Sequence, residues 1–565
     1  KVGISCRAFR AMSSKTTSGR VLLGVIFGVL GSLAIEGSCE TSDGRFEETC
    51  LIDVAKAENS DVHSNYKRPP WFGDLPFTKL KNNVLCEHAP CSEQVHLQIG
   101  GVNEMVVSFV SSAESHAGPY VFYWEQTMGS CSDASSRRNA TGTTEQYSLL
   151  MYFSHQLWDP GMGAPSLTAE ELAEMRSTEW CKDTASGWKY PCYHYFTAEN
   201  VSKHSGGGRY YNFNDIYDSP NIHTVVLKGL VPNQRYCYSV HNDQRVFSFK
   251  MPADSGSFPY KVGLIADAGQ TAASKASFDL LRKIDPQVVL FAGDLSYADG
   301  FGPRWDSFGR LFERLGASTP MAYCPGNHED GMGEGHVHYK ERYPMKFAAQ
   351  ASGSSNPLFW SRNLGPLHVI SLNSYAQSHP SSSMHRWLKK DLASFNRSKT
   401  PWLVVMMHSP WYNSNKGHIG ESIPMKGHME SLFYDHGVNL VLSGHVHSYE
   451  RTKNIYQNNT NPCGPVYLNL GDGGNREGPY TNWLPGSTPG SRRPSWTAFR
   501  QGSFGVAELE VANSTHAKFK WSRLACFDND LVVNSNCSTE GDTSMNALQK
   551  VDEAWIIRPV TCTNN

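Results

Sequence analysis

Residues Val438–His447 read VNLVLSGHVH. An apolar run, Leu440-Val441-Leu442, gives way within three residues to two histidines, His445 and His447. A short apolar run bounded by Gly and Ser reads as a buried strand. Histidines two apart on an extended segment project to the same side. The same design recurs upstream in KVGLIADAG, PQVVLFAGDLSY, STPMAYCPGNHE and PWLVVMMHSP. Between these runs lie segments of helical periodicity: Ser274–Asp285, Trp305–Gly316, Ser381–Phe395 and Gly427–Gly437. Strand–helix alternation of this kind predicts a layered α/β domain over residues 257–525. It closes on two further β-like pieces, GPVYLNLGDGG and FGVAELEVANSTHAKFKW.

Five strand ends thus carry polar residues able to bind metals: Asp267; Asp294 with Tyr297; Asn327 and His328 with Glu329; His408; and His445 with His447. Taken singly, an Asp after a strand is an ordinary helix cap or turn residue. A single His beside a core is usually structural. Taken together they converge, because ligands of layered α/β sheets gather beyond the carboxyl ends of the strands. Buried carboxylates brought that close must be paired or bind a cation. Two carboxylates, a phenol, a carboxamide and three imidazoles point to a pair of metal ions.

The motifs D-x-G (Asp267–Gly269), G-D-x-x-Y (Gly293–Tyr297), G-N-H-E (Gly326–Glu329), His408 and G-H-x-H (Gly444–His447) together resemble the purple acid phosphatases of the metallophosphoesterase superfamily. The likeness extends to HSPWYNSN after His408 and covers roughly residues 90–525. It implies a layered α/β/β/α sandwich preceded by an all-β, fibronectin-III-like domain. It also implies that Asp267, Asp294, Tyr297 and His447 bind Fe(3+). Asp294, Asn327, His408 and His445 would bind a divalent partner (Zn2+, Fe2+ or Mn2+), with Asp294 bridging. The donor chemistry agrees, since two carboxylates and a phenolate suit a hard trivalent ion. Many metallophosphoesterases carry D-x-H at the first motif. Here Gly269 stands in that place and Tyr297 supplies a ligand instead, which favours iron.

The reaction the family implies is hydrolysis of a phosphate monoester at acidic pH, by in-line attack of a metal-bound hydroxide. His328 and His418 are the expected proton donors to the leaving oxygen. Large plant-type members tend to carry adjacent histidines in the second loop, but this chain has Gly417 before His418. Glu329 is expected to orient its neighbours, and Glu450 with Arg451 to form an ion pair. Two other readings stand: a nucleotide phosphodiesterase or pyrophosphatase on the same centre, and a non-catalytic secreted glycoprotein with a vestigial site.

Length and composition frame this. At 565 residues the chain exceeds one core. Its net charge of -2 gives no sign of a nucleic-acid partner. Residues 1–38 combine basic residues with the apolar run Val21–Ile35 and read as a secretory signal; a retained signal anchor is the competing reading. Fourteen cysteines and six N-x-S/T sequons favour an oxidising compartment, extracellular or vacuole- or cell-wall-like, with no membrane contact after cleavage. Residues 39–92 show no periodicity. Alternating strands from Gln94 predict a β-sandwich over residues 93–256 with an insertion at about 130–222. Within it, Thr168–Met175 looks helical. Residues 526–565 read as a Cys-bearing tail. The expected partner is a small phosphorylated substrate, and the resemblance allows a homodimer.

Overall fold

A computed structural model gives the architecture. It describes residues 35–40, 46–52, 92–111, 119–150, 153–154, 210–211, 216–484, 493–524, 548–558 and 562, apart from positions 128, 301 and 332. Nearly all of the signal segment, the helical piece Thr168–Met175 and most of the insertion lie outside these residues. The chain divides into two compact units, Lys1–Tyr66 and Lys67–Asn565. In the first, Ile35–Glu40 pairs antiparallel with Phe46–Ile52, two strands whose sequences, IEGSCE and FEETCLI, carry no regular apolar alternation.

In the second unit the alternating residues form β1 (Ser92–Ile99), β2 (Met105–Ser111), β3 (Tyr120–Glu125), β4 (Arg138–Glu145), β5 (Asn221–Leu227), β6 (Arg235–Val240) and β7 (Phe247–Lys250). Neighbours in this set pair antiparallel, and Val95, Leu97, Met105, Val107, Val225, Tyr236 and Tyr238 bury a common core. β4 falls inside the stretch read as an insertion. Almost wholly exposed and polar, it shows no apolar alternation. Its first half pairs with β3 and its second with β5. The change of partner comes at Gly142, where a Cβ would lie 2.0 Å from the Thr224 carbonyl oxygen.

The α/β part begins with β8 (Tyr260–Ile265), α1 (Ala272–Ile284), β9 (Val288–Phe291), α2 (Pro303–Gly316), β10 (Met321–Tyr323), α3 (Val337–Arg342) and α4 (Lys346–Ala351). It continues with β11 (Trp360–Leu364), β12 (Leu367–Ser371), α5 (Ser383–Ser394), β13 (Trp402–Met406), α6 (Ile423–Asp435), β14 (Leu440–Ser443), β15 (Tyr449–Thr452) and β16 (Val466–Leu470). β17 (Thr497–Gln501), β18 (Gly505–Val511), β19 (His516–Leu524) and β20 (Leu548–Ile557) close it. Two helices start on clear sequence signals. Thr271 and Ser274 form a reciprocal capping box at α1, and Pro303 opens α2.

Two sheets face each other. One holds thirteen strands in the order β7-β6-β3-β4-β5-β2-β1-β10-β9-β8-β18-β19-β20, the other seven in the order β11-β12-β13-β14-β16-β15-β17. Leu264, Phe291, Val369, Val404 and Leu442 share the core between them, and Leu388, Leu392, Met429 and Phe433 cover the outer face of the smaller sheet. This is the layered α/β/β/α arrangement. Two connections were not read in the sequence. Within the Cys-bearing C-terminal stretch, β20 belongs to the large sheet and Cys562 is disulfide-bonded to Cys463. The β-rich and α/β parts are also joined in one sheet, through the parallel pair Met321↔Gln98. A buried ion pair of Arg310 with Glu93 and a half-buried one of Arg245 with Glu313 brace that joint.

Candidate metal centre

β8, β9 and β10 run parallel, as do β12, β13, β14 and β16. Their carboxyl ends place the predicted residues in one cleft. Asp267, Asp294, Tyr297 and Asn327 come from the large sheet; His408, His445 and His447 come from the small one. All but Asn327 are at most 4% exposed. The Tyr297 hydroxyl donates to Asp267 Oδ1 at 3.0 Å and lies 2.9 Å from His447 Nε2. Asp267 Oδ2 accepts from the His445 N–H at 2.8 Å, and Asp294 Oδ1 from the His328 N–H at 2.9 Å.

Backbone strain accompanies this convergence. Asp267, Asp294, Tyr297, Asp299, His418 and His445 all have φ between +52° and +69°, a left-handed region that non-glycine residues visit at a cost of about 1–3 kcal/mol each. Glu329 holds two of the turns. It is fully buried and accepts from the N–H groups of Gly326, Asp294 and Leu295 at 2.7–2.9 Å. Burial, then the Asp294 charge, push its carboxyl up to about 7.

His408 Nδ1 lies 2.8 Å from the Ala292 carbonyl oxygen and so carries the donor hydrogen. Its Nε2 then turns a lone pair toward Asp294 Oδ2, 2.9 Å away. Both atoms are buried, and neither makes a hydrogen bond among the described residues. With His408 neutral these are two acceptors meeting without a donor, a gap that a proton or a metal cation would fill. The charge balance says the same. Burial alone would depress the His408 pKa, yet Asp294, then Asp267, drive it up to about 10. The pocket favours positive charge.

His328 packs its ring 4.0 Å from that of Tyr297 and hydrogen-bonds Asp299 through Nδ1. Its Nε2 faces Asp294 Oδ2 and Glu477 Oε1, each 3.9 Å away. Despite burial, Asp299 and then Asp294 raise its pKa to about 9. His418 sits at the rim, its ring 3.9 Å from that of His445 and its Nδ1 2.9 Å from Glu421 Oε1. Glu421 Oε2 in turn lies 2.6 Å from His445 Nε2. At Gly417 a Cβ would lie 2.6 Å from the Tyr480 ring, so the chain has no room for a second histidine in this geometry. Glu450 and Arg451 do not pair. As neighbours on β15 they point to opposite faces, Glu450 to Ser414 and Thr497, Arg451 to Asp552.

Sequence reading passed over Asp299, Tyr375, Glu421, Arg476 and Glu477. Buried Arg476 clamps Asp299 and the Tyr297 carbonyl. Tyr375 follows β12, and Arg476 and Glu477 follow β16. Both are apolar runs ending in polar residues, the signal that revealed the other five. Asp299 follows the run of β9 but lies two residues past Tyr297, and Glu421 lies deep in a loop, fifteen residues beyond β13.

The calcineurin-like phosphoesterase family model matches residues 260–449, and the iron/zinc purple acid phosphatase-like C-terminal model matches residues 464–534. Probable purple acid phosphatase 20 of Arabidopsis thaliana is 39% identical over 336 residues, 58% of this chain and 76% of its own length. This chain belongs to the purple acid phosphatases. Purple acid phosphatase 21 of the same plant is 40% identical over 54% of this chain and 69% of its own length. A purple acid phosphatase from yellow lupin (Lupinus luteus) seeds shares the fold, with a TM-score of 0.57 at 20% identity, covering 84% of this chain and 75% of its own. As a purple acid phosphatase the chain is a phosphatase enzyme, and the family implies a dinuclear metal centre.

Proposed function

We propose that the chain is a secreted acid phosphatase that hydrolyses small phosphate monoesters at a dinuclear Fe(III)–M(II) centre, M being Zn, Fe or Mn. The observation that carries this is the phenol of Tyr297, buried within 3.0 Å of both Asp267 Oδ1 and His447 Nε2. A phenol among carboxylates is a donor set for a hard trivalent ion. Asp267, Asp294, Tyr297 and His447 would hold that ion; Asp294, Asn327, His408 and His445 the divalent one. When bound, the pair supplies positive charge to a phosphate group and acidifies a water molecule.

The chain's own residues do the rest. Glu329 keeps the Asp294 turn in place before any ion arrives. Asp299, gripped by Arg476, holds His328 Nδ1 and so aims Nε2 into the cleft, where it can hand a proton to the leaving oxygen. His418, kept at the rim by Glu421, is the second donor. Secretion rests on the signal-like residues 1–38, on the Cys131–Cys237 and Cys463–Cys562 disulfides, and on exposed sequons at Asn139, Asn396, Asn458 and Asn513. Among the described residues no helix is long and apolar enough to cross a membrane.

Metal analysis with pH–rate profiles on a monoester and a diester tests the proposal. One iron and one divalent ion per chain, an acidic optimum on the monoester, and a visible band lost in Tyr297→Phe are expected. A colourless, iron-free chain that prefers the diester would overturn it in favour of the phosphodiesterase reading.

A further inference from the structure

We propose that Tyr375 contacts the substrate: its phenol donates a hydrogen bond to an oxygen of the bound phosphate ester, and its ring forms the wall against which the leaving group rests. The inference rests on the metal-centre reading above and names a specificity residue for it.

Tyr375 stands at the carboxyl end of β12, on the same edge as the metal-capable residues. Asn373 Oδ1 accepts from its N–H at 2.8 Å. Ser374 Oγ accepts from the N–H groups of His408 and Ser409, both at 3.0 Å. The segment is thereby pinned to the loop that carries His408. The Tyr375 hydroxyl donates to Asn327 Oδ1 at 3.0 Å and lies 3.5 Å from His445 Nδ1. Its ring centroid is 6.2 Å from those of both His408 and His445. The hydroxyl thus sits beside the atoms proposed to hold the divalent ion, while the residue remains 38% exposed.

The other open-side groups cannot do the same work. Glu421 is an anion and is engaged by His418 and His445, so it repels a phosphate. Asn327 accepts the Tyr375 hydroxyl at its carboxamide oxygen and has no aromatic face. His328 and His418 deliver protons. Tyr375 alone among these rim residues offers a neutral donor and an exposed aromatic face. Its hydroxyl can swing from Asn327 to an ester oxygen without any change in protonation, and a flat ring accepts an aryl leaving group by stacking.

The holoenzyme, Tyr375→Phe and Tyr375→Ala test this with three readings: metal content, Kd for inorganic phosphate, and the ratio of kcat/KM on phenyl phosphate to that on glycerol phosphate. Tyr375→Phe is expected to keep its metals and its ratio but bind phosphate about tenfold more weakly, as for a lost hydrogen bond to a charged group. Tyr375→Ala should also lower the ratio severalfold. Unchanged phosphate affinity in Tyr375→Phe overturns the proposal. So does loss of metal, which would make the phenol a support for Asn327. A wild-type chain that binds phosphate yet hydrolyses no monoester overturns the catalytic reading instead, and the Kd comparison still decides the Tyr375 contact.

Discussion

Gly444 shows how closely the site is built around its carboxylates. A Cβ there would lie 2.1 Å from Asp267 Oδ2, and one at Gly326 equally close to Asp294 Oδ1. Neither position is a flexible link; each is a hydrogen-sized gap that lets a backbone pass beside a buried oxygen. Gly444→Ala is therefore expected to displace Asp267, releasing metal and lowering kcat about 100-fold, as misplacements of about 1 Å do. Metal analysis and saturating kinetics check it, and a variant with full metal content and normal kcat would refute the cradle. At this scale the sequence was most readable where a buried strand delivers its last residue straight into the cleft, as with Asp267 or His408. Glu421 and Asp299 could not be read the same way. Their loops are placed by contacts with residues far along the chain, Asp299 with His328 and Arg476, Glu421 with His445.

Among elements, β5 carries a titratable group away from the cleft. His223 is 1% exposed, between Ser111 Oγ at 2.7 Å and Thr144 Oγ1 at 2.9 Å, with the Phe109 ring 4.7 Å away. Burial, then neighbouring His241, push its pKa from 6.5 down to about 4. Above pH 6.5 the folded and unfolded chains both hold this ring neutral, and nothing is lost. As pH falls from 6.5 toward 4, the unfolded chain takes up a proton that the folded one refuses, so stability declines, by up to about 3 kcal/mol. Urea-unfolding midpoints at pH 7 and pH 4.5 should converge in His223→Gln relative to the parent. Equal declines in the two proteins would refute this. The elements also mark where pattern reading stops. Strands with alternating apolar residues stood out, as did helices with caps. β4 did not, because an exposed polar strand is specified by the partners on either side rather than by its own sequence.

In the whole molecule, the layered α/β arrangement followed from the strand–helix alternation. That one sheet would run on through β1 and β10 into the β-rich part could not be foreseen. The joint is a single registered pair, Met321↔Gln98, and its bracing ion pairs link residues more than 200 positions apart or across two elements that sequence reading kept separate. The division of the cleft has its own result. Four proposed ligands grow from one sheet and three from the other, facing each other across a shared core. Ions lodged there would act as rivets through two plates. Stripping them with a chelator should lower the unfolding temperature by several degrees, and restoring iron and zinc should bring it back. A chain equally heat-resistant with and without its ions would show that the plates hold without rivets. Otherwise the chemistry and the endurance of this protein are one property, and a cell starved of metal loses both together.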